Sequence, residues 1–558
     1  MKNKYFLLFI VIGFFYLIDY FIFNINHISS LEGLMFGAKK ASIDKLIFFI
    51  FSIFYSYFAI SLFLFARKKV IYVSLLFIFG ILYILNLVYF SINGSTFSFN
   101  DLQTALLEID KMSLSVFLTF QDSIVSAIIW VVLITGIFYF IRKKIVDKYN
   151  FYFSNLFILL SIVISLSSSF FICYKTAGYS NKFSLPVTTI NNFLYYFSIK
   201  SYYGEREILT SKVSHPSSVK NIIFILDESI AGNYLSINGY KKDTTPYLES
   251  IKDKFINFGL ISSGANGSAS SNMILMSGLQ LIDLPDKNYT ALKNPSIFQY
   301  AKNAGYSTSY ISGQSVGLQN YMTKFDLKYI DNFFKKKIGM FKVQDIPEND
   351  IIEEISKNII KNKKNFMFIV KRGVHFHYEQ SYPQNKKNFK PTLTKNESIT
   401  FERKEKVINS YLNGIRWRVD NFFKQLCIKL SLFDRNDTII IYTSDHGQSI
   451  LKNNITATHN VIINPHPNQG VVPLLIFLPN NNLFSRTKVL KNHYSHFQLF
   501  PTIIKLMGYD TVNYTLFDRN ITINQSFFSG DLFGRVNTSK TNTSKFIRNF
   551  VDKSKITK

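Results

Sequence analysis

Cysteine is nearly absent from this chain, which has only two cysteines among its 558 residues. Cys173 ends a long apolar run and Cys427 lies in a helix-like stretch, so we do not expect the two to pair. A disulfide-braced scaffold is therefore excluded, and any domain exposed outside the cytoplasm must be stable without such bridges.

Acidic residues are also scarce: 36 Asp and Glu stand against 63 Lys and Arg, which gives a formal net charge of +27. Such an excess would fit a nucleic-acid partner, but the chain contains no nucleic-acid recognition motif. A basic surface that faces an anionic lipid membrane is the better interpretation. The alternative is a general bias toward Lys, Asn and Ile, which would need no partner at all.

Apolar residues, by contrast, are abundant and concentrated in the first third of the chain. Aromatic residues make up 16% of the sequence, and 57 residues are Phe. Five apolar runs each approach the roughly 20 residues that a helix needs to cross the hydrocarbon layer. These runs are Tyr5–Phe23, Leu46–Ala66, Val70–Ile92, Ser123–Ile141 and Phe153–Cys173. A buried core helix would explain a single run, but five in succession predict a membrane bundle.

Basic residues between these runs predict how the bundle is oriented. They precede the first run, join the second to the third, and join the fourth to the fifth. They are Lys2, Lys4, Arg67, Lys68, Lys69, Arg142, Lys143, Lys144 and Lys148. By the positive-inside rule these places are cytoplasmic, so five crossings put the chain after Cys173 outside. No small-residue cleavage site follows the first run, and we therefore expect this run to be kept as an anchor.

The change in composition along the chain predicts four segments. Residues 1–173 form the membrane domain, and residues 174–218 form a connector that lies along the bilayer surface. Residues 219–535 form a soluble domain. Residues 536–558 form a loose tail that is rich in Ser, Thr, Lys and Asn.

The soluble domain alternates strand-like runs with helix-like stretches, which predicts an α/β fold around a doubly wound, mostly parallel sheet. The strand-like runs are Asn221–Leu226, Phe366–Val370, Thr438–Tyr442 and Val472–Phe477. The helix-like stretches include Val407–Leu430 and Ser495–Leu506. Active sites in such folds lie beyond the carboxyl ends of strands, so polar residues that follow these runs are the first candidates.

An acidic residue and a histidine stand side by side after the run Thr438–Tyr442. They are Asp445 and His446, within the tetrapeptide Ser444–Gly447. A carboxylate and an imidazole are donors that catalytic zinc prefers, so the pair predicts a metal site at the sheet edge. The alternative is an ordinary loop start or helix cap.

Three further sets of residues are candidates for an active site. Asp227-Glu228-Ser229 directly follows the run Asn221–Leu226, although such residues are also favoured as helix N-caps. Gly264–Asn272 is a run of small residues that lets a backbone approach a phosphate and places a hydroxyl at a helix start. Its alternative is a flexible turn. The third set is three histidines, a residue type more often structural than catalytic: His375, His377 and His459.

The order and spacing of these segments resemble the alkaline-phosphatase-like superfamily. Within it, the closer resemblance is to the membrane-anchored phosphoethanolamine transferases that modify lipid A or the lipopolysaccharide core. Five spans followed by an extracytoplasmic catalytic domain is that family's layout. The segments that carry the resemblance are Leu226–Ser229, Asn238–Tyr240, Thr245–Pro246, Ser268–Asn272, Gly373–His375, Ser444–Gly447, Thr458–Asn460 and Ser495–Thr502, the last of which we interpret as structural.

The resemblance implies a zinc-dependent transferase with a covalent intermediate. Its metal ligands would be Glu228, Asp445 and His446. The nucleophile would be the hydroxyl of Ser268, which also serves as the fourth zinc ligand. Phosphoethanolamine would then pass from the donor to the acceptor through a phosphorylated Ser268.

The resemblance also implies substrates and a location. His375 and His459 would lie near the substrate phosphate or a second zinc ion. The donor would be phosphatidylethanolamine, and the acceptor a lipopolysaccharide, a lipooligosaccharide or another surface glycan. The chain would be a multi-pass protein of the bacterial inner membrane with its catalytic domain in the periplasm.

The chain departs from the family at several positions. Many lipid A-modifying members use Thr as the nucleophile where this chain has Ser268, and Gly267 stands where a cysteine often precedes it. Either hydroxyl supports the chemistry, but the exchange weakens any inference about the acceptor. Around Ser312-Gly313-Gln314 no counterpart of the family's substrate-contacting residues is recognised, so no site residue is assigned there.

A phosphoglycerol transferase is the main alternative, because it would share the fold, the metal and the nucleophile and differ only in the donor head group. A sulfatase is disfavoured, since the segment around Ser268 lacks the Cys/Ser-x-Pro-x-Arg pattern that formylglycine formation requires. A transporter or a binding scaffold is disfavoured because the spans show no pattern of ionisable residues.

Overall fold

The computed structural model describes two compact units, which are treated separately below. The first holds the helices between Lys2 and Ser198, and the second holds residues 204–534 together with 547–550. The described residues are 2–23, 43–93, 96–97, 99, 102, 105, 120–175, 183–199, 204–217, 219–314, 320–334, 347–361, 364–394, 397–452, 456, 458–462, 465–478, 489–511, 513–518, 525–535 and 547–550.

Apolar helices make up the first unit. They are α1 (Lys2–Phe21), α2 (Ile43–Ser61), α3 (Lys69–Asn93), α4 (Gln121–Ile141), α5 (Asn155–Lys175) and α6 (Leu185–Ser198). The first five are long and apolar enough to cross a membrane, which confirms the five predicted spans to within a few residues. Large side chains such as Phe9, Phe77 and Trp130 are exposed on these helices, as expected of surfaces that face lipid.

A buried carboxylate joins α6 to the spanning helices. Asp19 of α1 is fully buried, and its Oδ2 accepts hydrogen bonds from the Tyr57 hydroxyl and from the backbone N–H of Leu185, each at 2.9 Å. The hydroxyl of Tyr83 lies 3.3 Å from Oδ1. Because Leu185 is the first residue of α6, the carboxylate satisfies a backbone N–H that the helix itself leaves unpaired. Residues 185–198 of the predicted connector therefore form a helix tied to the spans.

A seven-stranded sheet forms the centre of the second unit. Its strands are β1 (Asn221–Asp227), β2 (Phe255–Ser262), β3 (Ser307–Ser312), β4 (Asn332–Phe334), β5 (Asn365–Val370), β6 (Thr438–Ser444) and β7 (Val471–Phe477). Their order in the sheet is β2–β7–β6–β1–β5–β3–β4. The strands from β6 to β4 are parallel, whereas β7 is antiparallel to both its neighbours. The predicted mostly parallel sheet and its four predicted strands are confirmed.

Helices cover both faces of this sheet because its central strands are apolar on both sides. Ile223 and Ile225 of β1 belong to the core on one face, which also includes residues of the helices after residue 404. Phe224 packs edge-on against Phe368 of β5, and Phe368 contacts Phe298 of a helix on the other face. The helices are α7 (Pro246–Ser250), α8 (Ser268–Ser277), α9 (Thr290–Lys293), α10 (Ile297–Asn303), α11 (Glu348–Lys361), α12 (Lys404–Ile415), α13 (Phe422–Leu430) and α14 (Leu499–Leu506).

The two predicted helices are present with shifted starts. A π-helical segment at Arg416–Asn421 joins α12 to α13, so the predicted helix Val407–Leu430 begins three residues earlier, at Lys404. The predicted stretch Ser495–Leu506 begins with a 3₁₀ turn that is stabilised by a capping box, and α14 begins only after this turn.

A short two-stranded sheet follows later in the chain. Strands β8 (Ser526–Ser529) and β9 (Ile547–Phe550) pair in antiparallel fashion. β9 falls within the predicted tail 536–558, whose other residues lie outside the described part of the chain.

Candidate metal centre

The carboxyl ends of β1 and β6 bring three of the predicted ligands together. The two strands are parallel neighbours, and their register pairs the last residues of the strands with each other. The residues that follow are therefore adjacent, which places Glu228 beside Asp445 and His446. Each of the three side chains offers one ligand atom, and these atoms lie within 4.8 Å of one another. All three residues are buried, so a cation between them would be shielded from water.

Ser268 completes the group predicted from the sequence. It is the first residue of α8, which follows the extended backbone of Gly267. Its hydroxyl donates a hydrogen bond to Glu228 Oε1 at 2.9 Å and lies 3.2 Å from His446 Nε2. The N-terminus of a helix carries partial positive charge, which favours an anionic oxygen or a phosphate at this place.

The two carboxylate oxygens of Glu228 face different partners. Oε1 accepts hydrogen bonds from the hydroxyls of Ser268 and Ser229, both at 2.9 Å, and lies 3.3 Å from His446 Nε2. Oε2 accepts a hydrogen bond from the side-chain amide of Gln314 at 2.9 Å. Oε1 is therefore the oxygen that faces the other candidate ligands.

The loop after β5 packs directly against the backbone of Glu228. Gly373 in this loop has a φ of +56°, and a Cβ at this position would lie 2.0 Å from the carbonyl oxygen of Glu228. The backbone N–H of Val374 donates to the same oxygen at 3.1 Å. Glycine is thus required here for its conformation and its size, and the close contact helps to hold Glu228 in place.

The hydrogen bonds of Asp445 and His446 leave one atom of each available to a cation. Asp445 Oδ1 accepts from the backbone N–H groups of Ser229 at 2.9 Å and His446 at 2.7 Å. Oδ2 is buried and has no hydrogen-bond partner among the described residues. His446 Nδ1 lies 2.9 Å from the carbonyl oxygen of Gly447, so we assign a ring proton to Nδ1, and Nε2 is the nitrogen that a cation would bind. A carboxylate oxygen without a hydrogen-bond partner and an imidazole nitrogen that faces Ser268 and Glu228 suit a divalent cation.

The electrostatics of the group also favour a cation. Burial raises the pKa of Asp445 to about 7, and the nearby Glu228 carboxylate adds to this rise. Burial alone would lower the pKa of His446, but the carboxylates of Asp445 and Glu228 outweigh it and raise this pKa to about 9. A divalent cation competes with protons for Asp445 and His446. The donor set fits the predicted zinc ion, which stays a prediction.

His375 and His459 lie in the same neighbourhood. The ring of His459 stacks on that of His446 with centroids 4.3 Å apart, and the His375 ring lies 5.8 Å from the His459 ring. Neither belongs to the three-residue group that could hold a metal among the described residues, so their predicted roles stay predictions. His377 is instead buried, with its Nδ1 2.9 Å from Glu379 Oε1.

The segment Ser495–Thr502, which we interpreted as structural, contacts the candidate metal centre next to Asp445. His496 is buried, with Nε2 3.0 Å from Thr443 Oγ1 and Nδ1 3.5 Å from Ser271 Oγ. The Ser271 hydroxyl in turn donates to the carbonyl oxygen of Asp445 at 2.6 Å. Burial lowers the pKa of His496 to about 3, so this imidazole is neutral and acts through packing and hydrogen bonds.

Gln314 is a residue of the centre that was not recognised from the sequence. It lies two residues beyond β3, and its amide reaches Glu228 Oε2. β3 was not predicted because four of the six residues in its sequence, STSYIS, are Ser or Thr rather than apolar. Had β3 been recognised as a parallel strand, Gln314 would have been a candidate site residue, because it lies just after the carboxyl end of that strand.

Comparison with known proteins agrees with this fold. The family model described as Sulfatase matches residues 220–509, about half of the chain. The chain belongs to the sulfatase family. The matched range includes every predicted site residue, from Glu228 to His459.

Two similar curated proteins come from Salmonella typhimurium. Its Kdo(2)-lipid A phosphoethanolamine 7''-transferase is 25% identical over 313 residues, which are 52% of this chain and 52% of that protein. Its phosphoethanolamine transferase EptA is 26% identical over 317 residues, which are 54% of this chain and 55% of that protein. The chain thus spans about half the length of the curated relatives it matches.

A solved structure is similar over nearly the whole chain. It is the integral membrane protein lipooligosaccharide phosphoethanolamine transferase A (EptA) from Neisseria meningitidis. The TM-score is 0.60 and the identity 16%, and the match covers 92% of this chain and 97% of that one. At this identity the similarity shows the fold alone, and it confirms the predicted combination of a membrane bundle with a sulfatase-like α/β domain.

Proposed function

We propose that the chain is a membrane-bound enzyme that transfers phosphoethanolamine from phosphatidylethanolamine to a lipopolysaccharide or lipooligosaccharide acceptor. The observation that carries the proposal is the buried group of Glu228, Asp445 and His446, with Ser268 Oγ hydrogen-bonded to Glu228 at 2.9 Å. The names of the curated relatives support the choice of transferred group and acceptor. Five apolar helices fit a donor that resides in a bilayer.

The residues of the group divide the reaction into two steps. Glu228, Asp445, His446 and Ser268 would hold zinc, which when bound lowers the pKa of the Ser268 hydroxyl and offsets charge on the phosphoryl oxygens. In the first step Ser268 Oγ bonds to the donor phosphorus, the bond from phosphorus to the glycerol oxygen breaks, and diacylglycerol leaves with a proton. In the second step the acceptor oxygen bonds to this phosphorus, the bond from phosphorus to Ser268 Oγ breaks, and a proton from the acceptor restores the Ser268 hydroxyl.

The remaining predictions complete this proposal. His375 and His459 would balance charge on the phosphoryl oxygens or hold a second zinc ion, because the His459 ring stacks on the His446 ring and the His375 ring lies next to that of His459. The enzyme would lie in the bacterial inner membrane with the α/β unit in the periplasm. This placement rests on the basic residues at the predicted cytoplasmic ends of the spans.

Hydrolysis of sulfate esters does not follow from the family's name. Formylglycine formation requires the pattern Cys/Ser-x-Pro-x-Arg. In the segment from Ser268, the proline and arginine positions are occupied by Ser270 and Asn272. A serine nucleophile that transfers a phosphoryl group fits these residues better.

Replacing the nucleophile tests the proposal directly. We expect Ser268→Ala to lower head-group transfer by roughly 1000-fold or more, because the covalent intermediate cannot form. The measurement is transfer in membranes supplied with labelled phosphatidylethanolamine. Ser270→Ala is the matched control, since it removes a hydroxyl from the same helical turn, and it should keep most of the activity. Intact transfer by Ser268→Ala would show that the nucleophile is misassigned.

The mass of the trapped adduct identifies the donor head group. Phosphoethanolamine on Ser268 supports the proposal, whereas phosphoglycerol on the same residue would favour the alternative transferase. Mass spectrometry of lipopolysaccharide from cells with and without the chain then shows which group is added and where.

A further inference from the structure

A closed ring of contacts surrounds the carboxylate of Glu228. Gln314 Nε2 donates to Glu228 Oε2 at 2.9 Å and to the carbonyl oxygen of Lys371 at 2.8 Å. Lys371 Nζ donates to Asp227 Oδ2 at 2.9 Å, and Asp227 is joined to Glu228 by a peptide bond. The ring therefore connects the carboxyl ends of β3, β5 and β1.

Lys371 gives this ring a fixed anchor. Its side chain and that of Asp227 are fully buried. Its Nζ also donates to the carbonyl oxygen of Arg418 at 2.6 Å and lies 3.9 Å from the centroid of the Phe422 ring. A buried ion pair with such additional contacts leaves little freedom to either side chain. The carbonyl group that accepts from Gln314 thus belongs to an immobilised residue.

A side-chain amide is well suited to hold a carboxylate that must also bind a cation. Both partners of Gln314 Nε2 are acceptors, so both of its N–H bonds are used and the orientation of the amide is determined. The amide is neutral and leaves the negative charge of Glu228 available, whereas a Lys or Arg in its place would compete with the cation. With Oε2 engaged, Glu228 presents Oε1 alone to the other candidate ligands.

We infer that Gln314 is a positioning residue of the metal centre, which holds Glu228 so that a single oxygen faces Ser268 and His446. The inference deepens the proposed function and rests on its zinc site. Hydrogen-bond partners of metal ligands contribute roughly 10- to 100-fold to metal affinity when they orient the ligand. Gln314 itself contacts neither the cation nor the substrate in this role.

Zinc affinity of the full chain in detergent micelles tests the role of Gln314. We expect Gln314→Met, which keeps the length of the side chain and removes both N–H donors, to raise the zinc Kd roughly 10- to 100-fold. The Kd is measured by competition with a chromophoric chelator. Gln525→Met is the matched control, because Gln525 Nε2 also donates to two backbone carbonyls, those of Asn492 at 2.8 Å and Tyr494 at 3.3 Å. Its zinc Kd should not change.

A zinc Kd of Gln314→Met within twofold of the unsubstituted chain would overturn the inference, and so would an equal loss in Gln525→Met. The thermal midpoint of the zinc-free protein separates a lost ligand orientation from a general loss of structure. If Gln314→Met does not fold, the zinc Kd of Gln314→Asn is measured in its place, because the shorter side chain cannot reach both Glu228 Oε2 and the carbonyl oxygen of Lys371. Zinc affinity is read without any head-group transfer, so a failure of the proposed reaction is distinguishable from a failure of this inference.

Discussion

Two buried aspartates show, at the scale of single residues, how differently backbone N–H donors are shared between the two oxygens of a carboxylate. Asp420 accepts one backbone N–H on each oxygen, from Tyr247 at 3.1 Å and Leu248 at 2.9 Å, and burial raises its pKa to about 6. Asp445 receives both of its backbone N–H donors on Oδ1, which leaves Oδ2 buried and unsatisfied among the described residues. A bare buried oxygen is costly unless something else binds it.

Neutralising each of these two aspartates tests the difference. Asp445→Asn keeps an oxygen for the backbone N–H groups but removes the charge, so we expect zinc affinity to fall by about 100-fold or more. Asp420→Asn makes the same chemical change outside the group and should leave zinc affinity unchanged. Metal analysis of the purified full chain and chelator competition measure both variants. Full zinc occupancy in Asp445→Asn would mean that the metal site is misplaced.

At the scale of secondary structure, the predictions succeeded where the sequence of a strand is a nearly continuous apolar run. β1, β5, β6 and β7 are apolar runs. Asp445 and His446 were recognised as candidate ligands because they follow such a run, whereas Glu228 was assigned as a ligand from the family resemblance. β3 was missed because most of its residues are Ser or Thr, and Gln314 was missed with it. Local pattern could not show the antiparallel direction of β7 either, since direction depends on how the chain returns to the sheet.

The turn before α14 should make the α/β unit sensitive to acid, because it carries a buried neutral imidazole. The pKa of His496 is about 3 in the folded chain against an ordinary 6.5. At a pH between these two values, His496 binds a proton in the unfolded chain but not in the folded chain, which favours unfolding. The contribution of His496 to the free energy of unfolding is therefore complete above pH 6.5 and is lost as the pH falls toward 3. At pH 5 the loss is on the order of 2 kcal/mol.

Thermal unfolding of the full chain in detergent, measured from pH 7 to pH 5, tests this effect. We expect the midpoint of His496→Gln to depend less on pH than that of the unsubstituted chain. His215→Gln is the control, because the side chain of His215 is 74% exposed, and its midpoint should follow that of the unsubstituted chain at each pH. Parallel pH curves for His496→Gln and the unsubstituted chain would contradict the assignment.

At the scale of the whole molecule, the chain combines an apolar helical unit with an α/β unit that carries the candidate centre. Each unit has its own buried polar anchor: the hydrogen-bonded Asp19 in the first, and the ion pair of Lys371 and Asp227 in the second. A carboxylate within a membrane span is a functional candidate by default. Around Asp19, however, Tyr57, Tyr83 and the N–H of Leu185 supply donors to both oxygens, which is what a structural anchor for α6 requires.

Two substitutions separate an anchor from a functional charge. Asp19→Asn keeps an acceptor for Tyr57 and Leu185, so it should change the thermal midpoint and head-group transfer little. Asp19→Leu removes every acceptor and leaves three donors unpaired, so it should destabilise the full chain by about 1–2 kcal/mol in detergent. Loss of transfer in Asp19→Asn with an unchanged thermal midpoint would show that the charge itself is needed. If the thermal midpoint falls in Asp19→Leu but not in Asp19→Asn, Asp19 is a structural hydrogen-bond acceptor that holds α6 against the spans.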